Sequence, residues 1–278
     1  MRKISLYLIL LITALGAGIF ISFIALRSIN RPAIRPSSLP GFESDPNVPT
    51  SSPSEQRSRG SSISQPRQGG GEIGTTQTPT KTPGPNTIIY DVPFTPQAPF
   101  SEWSNPKLSN GCEEASALMA MSWVRGTTFT QEEARREIIA VSDYELANHG
   151  VYLDTSSQDT FDWIFKEYYG YNKVELFYDI SVEDIKKELR GGNLVIVPVN
   201  GQELHNPYYT QPGPLRHKVV IIGYDPDNKE FITNDPGTRL GKQYRYPEQV
   251  LFNAIHDYLT GNDLPLPPKR TAMIVVKK

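Results

Sequence analysis

Residues 28–86 set the first limit on what this 278-residue chain can fold into. About half of them are Ser, Pro or Gly, with almost no aliphatic periodicity, so the stretch cannot bury enough apolar surface to offset its chain entropy. It is predicted to be a disordered linker with a reach of roughly 40 Å. A core must be built from residues 87–278, which suits one large domain better than two.

Ahead of the linker, Ile4–Leu26 is almost continuously apolar, preceded by Arg2 and Lys3 and closed by Arg27. As a helix it is long enough to cross a hydrocarbon core of about 30 Å. A cleavable signal has a shorter apolar run, roughly 7 to 15 residues, followed by a small-residue cleavage site. Residues 1–27 therefore read as an uncleaved transmembrane signal-anchor, making the chain a single-pass protein of the cell membrane. Arg2 and Lys3 on one side nearly balance Arg27, Arg31 and Arg35 on the other, so basic flanks do not orient it. An extracytoplasmic domain is the expectation.

Only 4 of the 30 acidic residues but 9 of the 28 basic ones fall in residues 1–86, which leaves the domain a formal net charge of −7. An acidic domain argues against a nucleic-acid partner. Cys112 is the sole cysteine, so no intramolecular disulfide and no multi-cysteine zinc cage can form.

Within residues 87–278, Val92-Pro93-Phe94-Thr95-Pro96-Gln97 is an extended entry whose prolines exclude helix. A loop then runs to Asn110-Gly111. The pattern from Cys112 to Val124 predicts a helix capped by Ser109 or Asn110, with the thiol at its positive end. Further helices are predicted over 131–141, 158–169 and 182–189, with capping-box spacing at Thr130/Glu133 and Ser181/Asp184. Strands are predicted at 194–199, 217–224, 230–234 and 272–276, with helix over 247–258. Helices first and antiparallel strands after define an α+β class.

A thiol attacks a carbonyl as thiolate, and a helix N-terminus with a neighbouring imidazolium lowers its pKa from about 8.5. Cys112 has the first feature, although a lone cysteine beside Ala115 and Ser116 is also an ordinary small core residue. Whichever of Glu113 and Glu114 points at the sulfur opposes activation. His217 begins a buried apolar strand, where an imidazole is costly unless hydrogen-bonded. His149, His205 and His256 read as ordinary surface positions. Asp235, after the returning strand, is placed to hold the imidazole tautomer, although Asp235-Pro236-Gly237 also makes a plain turn.

Val92-Pro93-x-x-x-Gln97, Asn110-Gly111-Cys112-Glu113, His217-Lys218-Val219-Val220-Ile221-Ile222-Gly223-Tyr224-Asp225 and Asn234-Asp235-Pro236 resemble, in that order, the motifs of C39-like cysteine peptidases. The resemblance implies a papain-like fold, with Cys112 as nucleophile, His217 as general base then acid, Asp235 as orienter and Gln97 as oxyanion donor. It also implies acyl transfer through a thioester, with no metal or organic cofactor. Many relatives carry Gly-Pro where this chain has Glu113-Glu114, a departure that bears on activity more than on fold. Expected substrates are peptide or peptidoglycan-type amides, and the alternative is an inactive binding module on a membrane stalk. The loop 201–216 is a candidate substrate flap, whereas Phe100, Trp103, Trp163 and Tyr208-Tyr209 could line a cleft or fill the core, with core packing the preferred reading.

Overall fold

The computed structural model describes residues 84–261 and 265–278, so the predicted anchor and nearly all of the predicted linker lie outside the described residues. Among those described, no helix is long and apolar enough to cross a membrane.

Seven strands form one antiparallel sheet: β1 (Ile88–Ile89), β2 (Val174–Tyr178), β3 (Leu194–Val199), β4 (His217–Asp225), β5 (Glu230–Asn234), β6 (Tyr244–Pro247) and β7 (Ala272–Val276). Their order is β2-β7-β3-β4-β5-β6, and β1 joins β4 at Gly223 and Tyr224, beyond the end of β3 pairing at Ile221. A Cβ at Gly223 would collide with the Ile88 carbonyl, which is why this position of an otherwise β-branched strand is glycine.

β3, β4 and β7 are buried along their whole length because both faces of the sheet are covered. Alternation along β4 divides two cores. Val219 and Ile221 pack with Ile185, Leu189 and Val197 on one face, whereas Val220 and Ile222 pack with Ala117, Met121 and Ile196 on the other.

The Cys112–Arg125 helix lies on that second face and is buried from Cys112 to Trp123. Its Ala115 and Leu118 turn away from the sheet onto Ala134 and Ile138 of the Gln131–His149 helix. A helix enclosed all round shows little amphipathic stripe, and its Ala and Met side chains permit close approach. The long outer helix starts at a complete capping box, Thr130 with Glu133, and a second box, Ser181 with Asp184, opens the Val182–Arg190 helix.

Several expectations change. The Cys112 helix has Gly111 as its cap and no side-chain cap bond, because Ser109 and Asn110 serve the short Pro106–Ser109 helix ahead of it. The helix predicted over 158–169 is one α-turn, Ser157–Asp159, followed by a π-helix, Thr160–Tyr168, in which adjacent Ile164 and Phe165 both reach the core. The last helix covers only Glu248–Ala254. Strands β2 and β6 were not foreseen: β2 is an edge strand with an exposed Glu175 and Phe177, and β6 is four residues containing Arg245 and Pro247.

Candidate active site

One cavity of about 650 Å³ opens where the N-terminus of the Cys112 helix meets the start of β4, and Gln97, Cys112 and His217 all line it. Three separately positioned segments thus converge. Cys112 is placed by a rigid buried helix, His217 by a central strand, and Gln97 by a backbone bond from its N–H to the Pro236 carbonyl, 2.9 Å. Asn234 fastens the entry segment to the sheet by donating to the carbonyls of Val92 and Pro93 at 3.2 and 3.4 Å.

Asp235 is fully buried behind the histidine, with Oδ1 2.8 Å from His217 Nε2. The Gly237 N–H donates to the same oxygen at 2.9 Å, and Oδ2 accepts the hydroxyls of Tyr209 and Tyr246, each at 2.6 Å. Burial alone pushes this carboxyl upward, but His217 and the two hydroxyl donors outweigh it and hold the carboxyl below its ordinary range. It is therefore an anion that fixes the imidazole, leaving Nδ1 as the ring nitrogen not used by Asp235. Gly237 gives the ring room, since a Cβ there would stand 3.0 Å from His217 Nε2 and 2.9 Å from the Tyr209 ring.

Cys112 is 2% exposed, and its thiol contacts Glu113 Oε2 at 3.0 Å. Burial first, then Glu113, raises the thiol pKa well above its usual value, with Lys218 pulling the other way. The activation expected from the helix N-terminus is thus opposed first by burial and then by Glu113, the acid that faces the sulfur. Glu113 is itself held from beneath. Its Oε1 accepts the Tyr258 hydroxyl at 2.6 Å and lies 3.4 Å from Lys218 Nζ, and Lys218 also donates to the Thr155 carbonyl and to Tyr258. Lys218 is wholly buried, on the β4 face that carries the Cys112 helix.

Glu114 points away from the sulfur, accepting from the Ser142 hydroxyl at 2.7 Å. Burial and the neighbouring Glu113 push its carboxyl up to about 8. Glu145 is pushed well above the ordinary carboxylate range by burial and by Glu114. Asp154, on the cavity lining, is raised to about 6 by burial and Glu113, against the attraction of Arg216.

Gln97 donates through Nε2 to the Ser109 carbonyl at 2.8 Å, while its buried Oε1 has no partner among the described residues. The second Nε2 hydrogen remains for another acceptor.

Of the other histidines, His205 is exposed, and His149 stacks on Trp163 with ring centroids 4.0 Å apart and meets Glu167. His256 is buried, contrary to expectation, because its ring bonds the Pro267 carbonyl. Trp103 and Tyr208 are not core but line the cavity; Tyr209 does both, and Thr210 and Pro214 bring more of the 201–216 loop to the same wall. Phe100 is 49% exposed. Lys218, Tyr258, Asp154 and Arg216 escaped the sequence reading, although a lysine inside a continuous apolar strand is itself a signal of a buried partner.

The model of the Peptidase_C39 like family matches residues 89–260. A solved structure of a Bacillus anthracis protein assigned to the C39-like peptidases is 20% identical, with a TM-score of 0.43 over 69% of this chain and 98% of that one. No curated protein matches the chain. The family model spans most of the chain and includes the segments bearing Gln97, Cys112, His217 and Asp235, so the chain belongs to the Peptidase_C39 like family.

Proposed function

We propose that the domain is a cysteine peptidase or amidase in which Cys112 attacks, His217 transfers the proton, Asp235 orients His217 and Gln97 stabilises the oxyanion. The observation that carries this reading is the convergence of Gln97, Cys112 and His217 on one cavity, with the Asp235 anion locked to His217 Nε2.

With Nε2 committed to Asp235, Nδ1 is the nitrogen that takes the thiol proton. The resting thiol is neutral, so proton transfer accompanies attack instead of preceding it. The sulfur adds to the amide carbonyl and the oxyanion accepts from the free Gln97 Nε2–H and the Cys112 backbone N–H at the helix N-terminus. The imidazolium, stabilised by Asp235, then gives its proton to the departing amine. A water, deprotonated by the imidazole, hydrolyses the thioester and regenerates the thiol. None of these steps calls for a metal or an organic cofactor.

The apolar run Ile4–Leu26 supports a membrane-anchored protein; on this reading the domain is extracytoplasmic and its substrates are peptide or peptidoglycan-type amides. The test is incubation of the full chain with unfolded protein and with purified cell wall, following new amino termini. Cleavage of either that disappears in Cys112→Ala supports the proposal, and cleavage that persists in that variant refutes it.

A further inference from the structure

Two arginines line the cavity, Arg216 directly before His217 and Arg239 two residues beyond Gly237. Arg216 is 8% exposed, and its Nε is enclosed without a hydrogen-bond partner among the described residues. No ion pair of its guanidinium is found there either; Asp154 attracts it only at longer range. A largely buried guanidinium without a direct hydrogen-bonded partner is unfavourable unless another group completes it. The Asp235 carboxylate, also deep in the site, is already taken by His217, Tyr209 and Tyr246.

The surroundings suit an extended ligand. Arg239 is exposed and adds a second positive charge, and Leu240 and Trp103, 60% and 42% exposed, offer apolar surface on the same lining. Guanidinium matches carboxylate as a planar two-point donor, which gives direction as well as attraction. Arg216 lines the same cavity as Cys112 and His217, so a carboxylate held by Arg216 shares the cleft with the bond presented to Cys112.

We infer that Arg216, assisted by Arg239, forms a carboxylate-binding subsite, and that the substrates are peptides bearing a carboxylate near the scissile amide. The carboxylate is either a chain terminus or an acidic side chain. This rests on the cavity being the substrate cleft of the peptidase proposed above.

Calorimetric binding to the full chain carrying Cys112→Ala tests it without turnover. The probes are acetyl-Ala-Ala-Ala with a free terminus against its amide, and acetyl-Ala-Glu-Ala-amide against acetyl-Ala-Gln-Ala-amide. At least one charged probe should bind roughly ten- to hundred-fold more tightly than its neutral twin. The pair that shows the gap identifies the source of the carboxylate. In Arg216→Gln the gap should shrink to less than about three-fold. Equal affinities in both pairs, absence of binding included, overturn the subsite, as does a gap that survives Arg216→Gln. If the glutamine variant fails to fold, Arg216→Lys is read in its place. That variant keeps a charge without the planar fork and should lose most of the gap, and an unchanged gap overturns the inference. A chain that prefers carboxylates but cleaves nothing would retain the subsite and defeat the peptidase reading alone.

Discussion

Replacing Glu113 by glutamine removes the carboxylate that touches both the Cys112 thiol and the Lys218 ammonium. Cys112, Glu113, Lys218 and Tyr258 are each no more than 2% exposed, so water cannot take over the lost contacts. Lys218 keeps the Thr155 carbonyl and the Tyr258 hydroxyl but loses its paired anion. Breaking a buried pair from one side costs about 3 to 5 kcal/mol. The lower end is expected, because Asp154 also interacts with Lys218. Urea unfolding followed by fluorescence of Trp103, Trp123 and Trp163 should show a loss of about 3 kcal/mol in Glu113→Gln, with more than half recovered in Glu113→Gln/Lys218→Met. The same substitution removes a group that raises the thiol pKa, so the midpoint of the Cys112 alkylation profile should move to lower pH. A loss under about 1 kcal/mol, no recovery in the double variant, or an unmoved midpoint would each refute the argument.

The buried acids set the pH dependence of stability. Glu114, Glu145 and Asp154 have folded-state pKa values raised above their unfolded ones, so the folded protein holds more protons over that interval. Their protonated forms favour the fold at low pH, and stability should fall as pH rises from about 4.5 through 8. Denaturation midpoints at pH 5.5 and 8.5 check this, and Glu114→Gln should flatten the difference. Asp235→Asn leaves a site of similar shape with the wrong imidazole partner and should lower kcat by about 10⁴, read with any peptide found to be cleaved. Gln97→Ala should lower kcat by about 10² to 10³ while changing KM little. Gly237→Ala presses a methyl against His217 and Tyr209 and should reduce kcat more than stability, as paired activity and unfolding measurements would show.

The central strands behind the candidate site were legible because β3 and β4 are covered on both faces, and such strands read as unbroken β-branched runs. The Cys112 helix was legible through Asn110-Gly111, but its cap was not, since a four-residue helix had already claimed Ser109 and Asn110. Strands β2 and β6 escaped because edge strands tolerate Glu175, Arg245 and Pro247, which break the apolar pattern. β6 nevertheless supplies Tyr246 to Asp235, a contact visible only once the sheet order is known. The surroundings of the thiol were legible only in part for a related reason. Helix position is local and readable, whereas full burial and the direction of Glu113 depend on Lys218 and Tyr258, 105 and 145 residues away.

In the proposed mechanism, Cys112 carries a covalent acyl intermediate whose formation needs His217. Mass spectrometry of the full chain, quenched in acid seconds after mixing with an activated peptide ester, tests it directly. One acyl group should map to Cys112, be absent in Cys112→Ala and form about a thousand-fold more slowly in His217→Ala. An adduct elsewhere, or one formed equally fast without His217, would contradict it.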